Sequence, residues 1–408
     1  MLSPNELADI AVRDLAPLFA AASSVGSPTG RHTKRGGRTG PNRMWVSIPG
    51  GLEVTLSRSL PLSPWEADLL DPYGKAIADL AASPAAVARN AADDVALRAI
   101  AAQVGGSCAS AVEDSIRFLL RCSASTYEGQ PINLSILFDS NEQRAAAFPD
   151  IRAFESNDWY AMLGSGLETG IVINAQGAVV CIHDVRSERL EDDPASSALR
   201  PDVFRLVGDW SNREGRIALS LSRSRELLIH QGGRIRYIFR GGRWRSLPLD
   251  VAINSGWADG AGISKELKRA VLASAIDASL GHHGACIAVI VRGHKQALLN
   301  ENIIGDDDQW PTNARSRLFE AAAFQQLTRR QRLELLSMDG ATIIDHRGKI
   351  VAAGAIVAVP SGSTGGGRLA AARSLAEHGA AMKISQDGPI SLFGRDSSGV
   401  VQLKMALA

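Results

Sequence analysis

Three consecutive glycines near the C-terminal end could form an anion-binding loop. Gly365, Gly366 and Gly367 precede Arg368 and an alanine-rich segment of helical composition. Glycines let the backbone approach a ligand closely, and the N–H groups of the helix's first turn have no partner within the helix. Anions bind at this positive end of the helix dipole, and an arginine suits phosphate oxygens. The segment indicates either a phosphate-binding loop or a flexible start to a buried helix.

A second candidate is Asp339-Gly340-Ala341, which precedes a segment of strand composition. A carboxylate at the start of a strand can hold a divalent metal or orient a hydroxyl. Asp-Gly is also a common turn dipeptide, so Asp339 could simply cap a turn. The glycine loop lacks the GK[ST] of a P-loop and the GxGxxG of a dinucleotide fold. Each motif taken alone is therefore a weak signal.

The elements around these motifs predict a mixed unit of helices and strands. "GACIAVIVRG" (284–293) is a continuous apolar run, typical of a strand buried on both faces. Residues 339–360 predict a hairpin that turns at 345–348, and residues 314–338 predict a helix. A helix over 368–378 and the strands "AAMKIS" and "ISLFG" complete an α/β or α+β domain from 256 to 408.

The preceding residues, 1–255, predict an α+β domain whose second half is rich in strands. Residues 4–23 form an amphipathic helix with a capping pattern at Ser3-Pro4-Asn5-Glu6, and residues 75–122 are mostly helical. Strands follow at 132–139 and 170–185, and a meander with two Gly-Gly turns follows at 225–250. A division into two subdomains, 1–150 and 151–255, is the alternative organisation.

In this order, the C-terminal motifs resemble the diadenylate cyclase domain of DNA-integrity-scanning proteins and related cyclic-di-AMP synthases. That family carries a strand with Gly-Ala, then Asp-Gly-Ala and a hairpin, then Gly-Thr-Arg-His-Arg-Ala-Ala opening a helix, then a Ser-Glu-Glu strand end. The resemblance covers roughly 260–400. The residues that match are Asp339, Gly340, Ala341, Gly366, Arg368, Ala371, Ala372 and Ser385.

The resemblance implies a mixed sheet flanked by helices, and a reaction between two ATP molecules held by protomers that face each other. Each 3′-hydroxyl attacks the other nucleotide's α-phosphate, assisted by Mg²⁺ or Mn²⁺ and by the motif aspartate. Asp339 and Arg368 are then the catalytic residues, and Asp339 is also the metal ligand. The nucleotide-binding residues implied are Gly340, Ala341, Gly365, Gly366, Gly367 and Ser385.

Several positions depart from the family pattern. Gly367 stands in place of threonine, Leu369 in place of histidine and Ala370 in place of the second arginine. Gln386 and Asp387 replace the two glutamates. Since polar contacts to a reacting phosphate are worth several kcal/mol each, these losses weaken the case for catalysis more than the case for nucleotide binding.

Two functions therefore stay open for the C-terminal domain. The first is a diadenylate cyclase that makes cyclic-di-AMP from ATP under the control of an N-terminal sensor region, and retention of Asp339 favours it. The second is a catalytically weakened sensor that binds a nucleotide or cyclic dinucleotide, and loss of the His-Arg pair favours it. Divergent members of the family with such a glycine-rich loop are described as sensor proteins.

A nucleic-acid scaffold is a third and less favoured hypothesis. It rests on the basic loop 26–43 and on five arginines between 234 and 245 that alternate with aromatic residues. The net charge of only +1 argues against bulk capture of nucleic acid or membrane. Four scattered cysteines indicate neither a zinc site nor a disulfide framework. No apolar run approaches the ~20 residues of a transmembrane helix, and the N-terminus lacks a leader pattern. We expect a cytoplasmic protein.

Overall fold

The computed structural model describes residues 1–20, 22–26, 34–155, 168–188, 204–255, 262–300, 323–358 and 366–407. Within these ranges the chain has an α+β fold, as predicted. It divides into two compact units, Met1–Pro248 (unit 1) and Leu249–Ala408 (unit 2). The sequence had suggested a boundary after residue 255. Helix Leu249–Asn254 belongs to unit 2, where Lys268 Nζ donates a 3.4 Å hydrogen bond to the Ser255 carbonyl.

Unit 1 combines helices with two main sheets. Its α-helices are α1 (Pro4–Phe19), α2 (Pro64–Ala82), α3 (Ala85–Ala91), α4 (Val95–Gly105), α5 (Ala109–Ala124), α6 (Ile151–Glu155) and α7 (Arg205–Trp210). Its strands are β1 (Ala22–Gly26), β2 (Gly36–Gly40), β3 (Arg43–Ile48), β4 (Leu52–Ser57), β5 (Thr126–Tyr127), β6 (Gln130–Pro131), β7 (Leu134–Asp139), β8 (Thr169–Ile173), β9 (Val179–Asp184), β10 (Arg216–Leu221), β11 (Leu227–Gln231), β12 (Arg234–Arg240) and β13 (Arg243–Ser246).

The sheets of unit 1 contain the strands predicted at 132–139, 170–185 and 225–250, and also strands that were not predicted, among them β1, β2 and β10; β2 lies within the basic segment 26–43, which had been taken as a loop. One has four strands in the order β1-β4-β3-β2, and the other has seven in the order β13-β12-β11-β10-β7-β8-β9. Among the described strands of the larger sheet, only β7 and β8 pair in parallel. Helix α1 begins with the predicted capping box, in which Ser3 and Glu6 bond to each other's backbone N–H groups. It ends at Phe19, four residues before the predicted end at residue 23.

The helical region of unit 1 bears on the expectation of no membrane segment. Ala85–Ala124, taken as one run, is long and apolar enough to span a bilayer by length and composition alone. A glycine turn interrupts it at Gly106, whose φ of 53° suits glycine, and α4 and α5 pack against each other. Core helices of soluble proteins pass the same test, so the run is weak support for a membrane. The cytoplasmic location stays a prediction.

Several arginines and aromatic residues of the basic meander make contacts within unit 1. Tyr237 and Trp244 are buried, so neither ring is available to stack on a base. Arg240 is 7% exposed and pairs with Glu226. Arg236 lies 5.2 Å from the ring centre of Trp65. Of the other basic segment, residues 27–33 lie outside the described residues.

Unit 2 contains one six-stranded sheet. Its helices are α8 (Leu249–Asn254), α9 (Lys265–Leu280), α10 (Lys295–Asn300), α11 (Arg329–Ser337) and α12 (Gly367–Ala376). Its strands are β14 (Ala285–Ile290), β15 (Ala341–Asp345), β16 (Ile350–Ala355), β17 (Gly379–Ile384), β18 (Ile390–Arg395) and β19 (Val401–Leu407).

The sheet of unit 2 is mixed and has helices on both faces. Its order is β16-β15-β14-β17-β18-β19, with β14 and β15 parallel and the other neighbours antiparallel. All six residues of β14 are buried, as expected for a central strand. Cys286 and Ala288 share a core with Ala372 and Leu375 of α12. On the opposite face, Thr342 of β15 donates a hydrogen bond to the Leu335 carbonyl of α11.

One prediction about unit 2 was wrong, and one strand had not been predicted. Residues 314–338 do not form one helix in their described part, because a short 3-10 helix ends at Gln326 and α11 begins after Thr328. Thr328 and Gln331 form a capping box that starts the new helix. The edge strand β19 was also missed, since its mixture of polar and apolar residues gives a weak strand pattern.

Candidate functional site

The predicted site residues lie together at one end of the central strands of the sheet in unit 2. The first residues of β14 and β15 lie side by side, with Cys286 opposite Ala341. The antiparallel neighbours finish at the same end, since Ile384 lies opposite Ala285 and Ala355 lies opposite Ala341. The segments that precede β15 and follow β17 therefore meet here, close to the start of α12.

Gly340 has a steric reason to be glycine. Its φ is 100°, which side chains disfavour, and a Cβ there would lie 2.5 Å from the backbone carbon of Gly354. This close approach places Asp339 at the edge of the sheet, where its side chain is exposed. The Gly340 N–H donates to Asp339 Oδ1 at 3.1 Å, which fixes one carboxylate oxygen beside its own backbone.

Among the described residues, the start of α12 has no side-chain cap. Gly366 is the N-cap residue with a φ of 85°. A Cβ on Gly366 or Gly367 would meet no atom within 4 Å. The backbone at this helix end is thus accessible, while Gly365 lies outside the described residues.

Arg368 lies on the first turn of α12 and against the backbone of Gly284. A Cβ on Gly284 would lie 2.6 Å from Arg368 Nη1 and 2.9 Å from its Cζ. The guanidinium therefore occupies the space that any larger residue would take. The Gly-Ala of the motif "GACIAVI" acquires a physical role here, because a Cβ at residue 284 would collide with the Arg368 guanidinium.

The turn after β17 carries Ser385 and is firmly tied. Its backbone closes through Gly388 N–H to the Ser385 carbonyl and Ser385 N–H to the Pro389 carbonyl, each at 2.9 Å. Ser279 Oγ, on α9, donates to the Gly388 carbonyl at 2.6 Å. His282 Nδ1 lies 3.1 Å from the Gln386 carbonyl, which indicates that this histidine supports the turn.

These segments enclose a pocket of about 550 Å³. This volume lies in the usual range of small-molecule sites, about 300–1,000 Å³. All of the predicted site residues except Gly365 line it: Asp339, Gly340, Ala341, Gly366, Gly367, Arg368 and Ser385. The remaining lining residues are Cys286, Ala355, Ile356, Val357, Leu369, Ala371, Lys383, Ile384, Gln386 and Asp387.

The pocket has an apolar part and a charged part. Leu369, at the position of the family histidine, lines the wall and also packs against the core. Ile356, beside it in the lining, is 69% exposed. Ala370, at the position of the second arginine, is a buried residue of α12 and does not line the pocket. The two replacements therefore differ, since only Leu369 changes the chemistry of the wall.

Two cations and two carboxylates line the charged part. Within the residues that the structure describes, neither Arg368 nor Lys383 forms an ion pair. Cys286 lies on the floor next to both, since it pairs with Lys383 across the strands and feels the charge of Arg368. Burial raises the pKa of the Cys286 thiol to about 12, against the opposing effect of Arg368. The thiol is thus a neutral part of the floor at physiological pH.

The pocket suits a metal shared with a ligand better than a metal held by protein alone. No group of three or more His, Cys, Asp or Glu side chains in the described ranges is placed to hold a metal ion. Asp339 and Asp387 are the carboxylates of the lining. Mg²⁺ is commonly bound through one or two carboxylates together with substrate phosphates and water. Asp339 therefore fits a metal only if a phosphate ligand completes the shell.

Three residues of the site were missed by sequence reasoning: Gly284, Cys286 and Lys383. A single lysine in the otherwise apolar strand "AAMKIS" was a usable signal for Lys383, because a charge on a central strand needs a polar environment. The face of the sheet on which Lys383 lies depends on how β17 pairs with β14. That pairing is set by the topology of the sheet.

The similarities of this chain to known proteins lie among solved structures. No family model matches it, and no curated protein matches it. Among solved structures, it is similar to a hypothetical membrane spanning protein from Bacillus cereus, with 18% identity and a TM-score of 0.25 over 38% of this chain and 68% of that chain. It is also similar to a double mutant of DacA from Staphylococcus aureus, with 18% identity and a TM-score of 0.24 over 34% of this chain and 85% of that chain.

DacA is a diadenylate cyclase, the family that the sequence motifs resemble. At these TM-scores the likenesses are distant, and neither carries an argument about what this chain binds or does. The case for a function rests on the residues of the pocket and on the motifs that supply them.

Proposed function

We propose that unit 2 binds ATP in this pocket and joins two ATP molecules into cyclic-di-AMP. One observation carries the proposal. Asp339-Gly340-Ala341 and Gly366–Arg368, which are far apart in sequence, line the same pocket. Their order and residue types resemble those of diadenylate cyclases. A pocket with an uncapped helix start and two cations that form no ion pair among the described residues suits a phosphate chain.

The residues divide the work of this reaction. The α-phosphate would lie near the start of α12, where backbone N–H groups and Arg368 stabilise charge on the phosphate oxygens. Each 3′-hydroxyl forms a bond to the other α-phosphorus, its proton leaves to solvent or a base, and pyrophosphate departs. Asp339 would hold Mg²⁺ or Mn²⁺, which neutralises phosphate charge and lowers the pKa of the attacking hydroxyl. Two copies of unit 2 must face each other, so we also propose a homodimer in the active state.

The test is incubation with labelled ATP and Mg²⁺ or Mn²⁺, followed by separation of the products. We expect a cyclic dinucleotide from the wild type and a loss of at least 100-fold in rate for Asp339→Asn. Arg330→Met, on the exposed surface of α11, should leave the rate unchanged. Absence of product from the wild type, at the level of Asp339→Asn, would reject the enzymatic proposal.

A second candidate, a sensor that binds without reacting, is favoured by Leu369. An apolar residue in the pocket wall can contact a base or ribose but cannot stabilise phosphate charge. Calorimetry with ATP and with cyclic-di-AMP separates the candidates. Heat of binding without turnover supports the sensor, whereas no heat with either ligand, and no effect of Arg368→Met, rejects nucleotide binding at this site.

We further propose that unit 1 is the regulatory part. A pocket of about 720 Å³ supports this, lined in part by Lys34, Arg38, Trp45 and Asp71. We expect Arg38→Met to alter the rate of product formation with an unchanged unfolding midpoint. Equal rates for Arg38→Met and wild type would remove the support that this pocket gives.

A further inference from the structure

Lys383 occupies a position that the loop motif does not explain. It lies on β17 opposite Cys286 of β14 and opposite Ser391 of β18. Two residues earlier on the strand, Ala381 belongs to the core under α12. Because side chains alternate along a strand, Lys383 lies on this same face of the sheet, and there it lines the pocket.

Arg368 and Lys383 reach the pocket from two different elements of unit 2. Arg368 belongs to the helix and rests on Gly284, while Lys383 belongs to the sheet. Both lie next to Cys286, so the two positive charges converge over the same part of the floor. In the described part of the chain neither has a carboxylate partner, and like charges held close together repel each other.

The positive charge of Lys383 keeps the pocket lining from being net negative. Arg368 and Lys383 oppose Asp339 and Asp387, so the formal charges sum to zero. Without Lys383, one cation would face two carboxylates, and the pocket would be net negative. A net negative pocket disfavours a polyphosphate unless metal ions cover the carboxylates.

We infer that Lys383 supplies the second phosphate-binding cation, a role that Leu369 and Ala370 cannot fill. The inference rests on the proposed nucleotide binding at this pocket and adds a residue that confers specificity for the phosphate chain. An ammonium on a flexible stem can follow phosphate oxygens without a fixed angle, whereas Arg368 offers a planar fork. Lys383 therefore makes the affinity depend on how many phosphates the nucleotide carries.

The experiment measures binding of ATP, AMP and adenosine to the full chain by calorimetry. We expect Lys383→Met to weaken ATP about 10- to 100-fold, as loss of a charge-assisted hydrogen bond does. Adenosine affinity should stay within about twofold, since the lost contact is to phosphate. Lys383→Arg, which keeps the charge, should recover most of the ATP affinity. Lys349→Met is the matched control. Lys349 is exposed in the turn between β15 and β16, at the end of these strands that lies away from the pocket.

Two outcomes separate this inference from the proposed function. If Lys383→Met binds ATP as wild type does while Arg368→Met is weakened, the role of Lys383 is wrong and nucleotide binding stands. If wild type binds neither ATP nor cyclic-di-AMP, the proposed function itself is wrong. If Lys383→Met shifts the unfolding midpoint, Lys383→Gln serves as a second variant without the charge. Equal losses of ATP and adenosine affinity in these variants would also overturn the inference.

Discussion

Two arginines of this chain, one in each unit, are used differently. In unit 1, Arg58 is buried and forms two hydrogen bonds of 2.6 and 2.7 Å to Glu66, whose side chain is fully buried. In unit 2, Arg368 is exposed at the pocket and has no ion pair among the described residues. A buried charge must be paired to be tolerated, whereas a charge at a pocket can remain available for a ligand. Pairing therefore distinguishes arginines that hold the fold from those that can bind.

The largest expected effect tests the structural arginine. Arg58→Met leaves the Glu66 carboxylate buried without its cation, with only hydrogen bonds such as those from Ser63 and Ser246. Removing one partner of a buried pair typically costs about 3–5 kcal/mol. We expect a loss of that size in the free energy of unfolding of unit 1, measured by urea denaturation. Arg330→Met, which removes an exposed pair with Glu334, should cost less than about 0.5 kcal/mol. Equal costs for both variants would contradict the comparison.

A buried group of unit 1 that must stay uncharged gives the second prediction. His230 is fully buried beside Phe204, and burial lowers its pKa to about 3. The unfolded chain takes up a proton near pH 6.5 while the folded chain does not, so stability falls as the pH drops from 6.5 towards 3. The loss is about 1.4 kcal/mol per pH unit.

Hydrogen exchange of the β11 amides can follow this loss in unit 1. We expect their protection to decline between pH 6.5 and pH 4.5, after correction for intrinsic exchange. His230→Phe should flatten the profile, while His346→Gln, in the turn after β15, should leave it unchanged. A profile for wild type that is already flat would show that His230 is not held neutral.

The third prediction moves Arg368 without removing it. Gly284→Ala places a Cβ 2.6 Å from Arg368 Nη1, and the guanidinium must shift. Because only the far end of a flexible side chain moves, the free energy of unfolding should change little. We expect ATP affinity, measured by calorimetry, to fall about 10-fold, or about 1.4 kcal/mol.

A matched glycine in the same sheet provides the control. A Cβ on Gly394 of β18 would lie 3.5 Å from the nearest atom, the Cγ of Lys404, which is an ordinary contact. Gly394→Ala should therefore bind ATP like wild type. If Gly284→Ala does so as well, the contact between Gly284 and Arg368 has no role in binding.

The smallest expected effect is that of Arg368→Met on the free energy of unfolding. Arg368→Met removes a cation that has no ion pair within the described residues, so it should change the free energy of unfolding by less than about 0.5 kcal/mol in the absence of nucleotide. Urea denaturation beside Arg58→Met measures the difference directly. A loss above about 2 kcal/mol would mean that Arg368 supports the fold after all.

Local patterns predicted much of this fold. The buried strand β14 and the hairpin of β15 and β16 follow from apolar runs and turn residues. The break after Gln326 was missed because helical composition continues across it, and the capping box at Thr328 was not recognised. The strand β19 was missed because an edge strand buries only part of its surface.

The candidate site was predictable only where a motif carried it. Asp339 and Arg368 were found because their neighbours in sequence resemble a family pattern. Gly284 and Lys383 were not assigned, because their relevance depends on β17 lying antiparallel beside β14 and on α12 covering one face. Such relations between distant segments are set by topology, which composition and spacing do not encode.

Helix α9 forms a side-chain hydrogen bond to another segment of unit 2 near each of its ends. Lys268, in its first turn, bonds to the Ser255 carbonyl just after α8, and Ser279, in its last turn, bonds to the Gly388 carbonyl in the turn that carries Ser385. With 16 residues, α9 is a stiff rod about 24 Å long. One helix therefore connects, through a side-chain hydrogen bond near each end, the segment where unit 2 begins with the turn that carries Ser385 at the pocket.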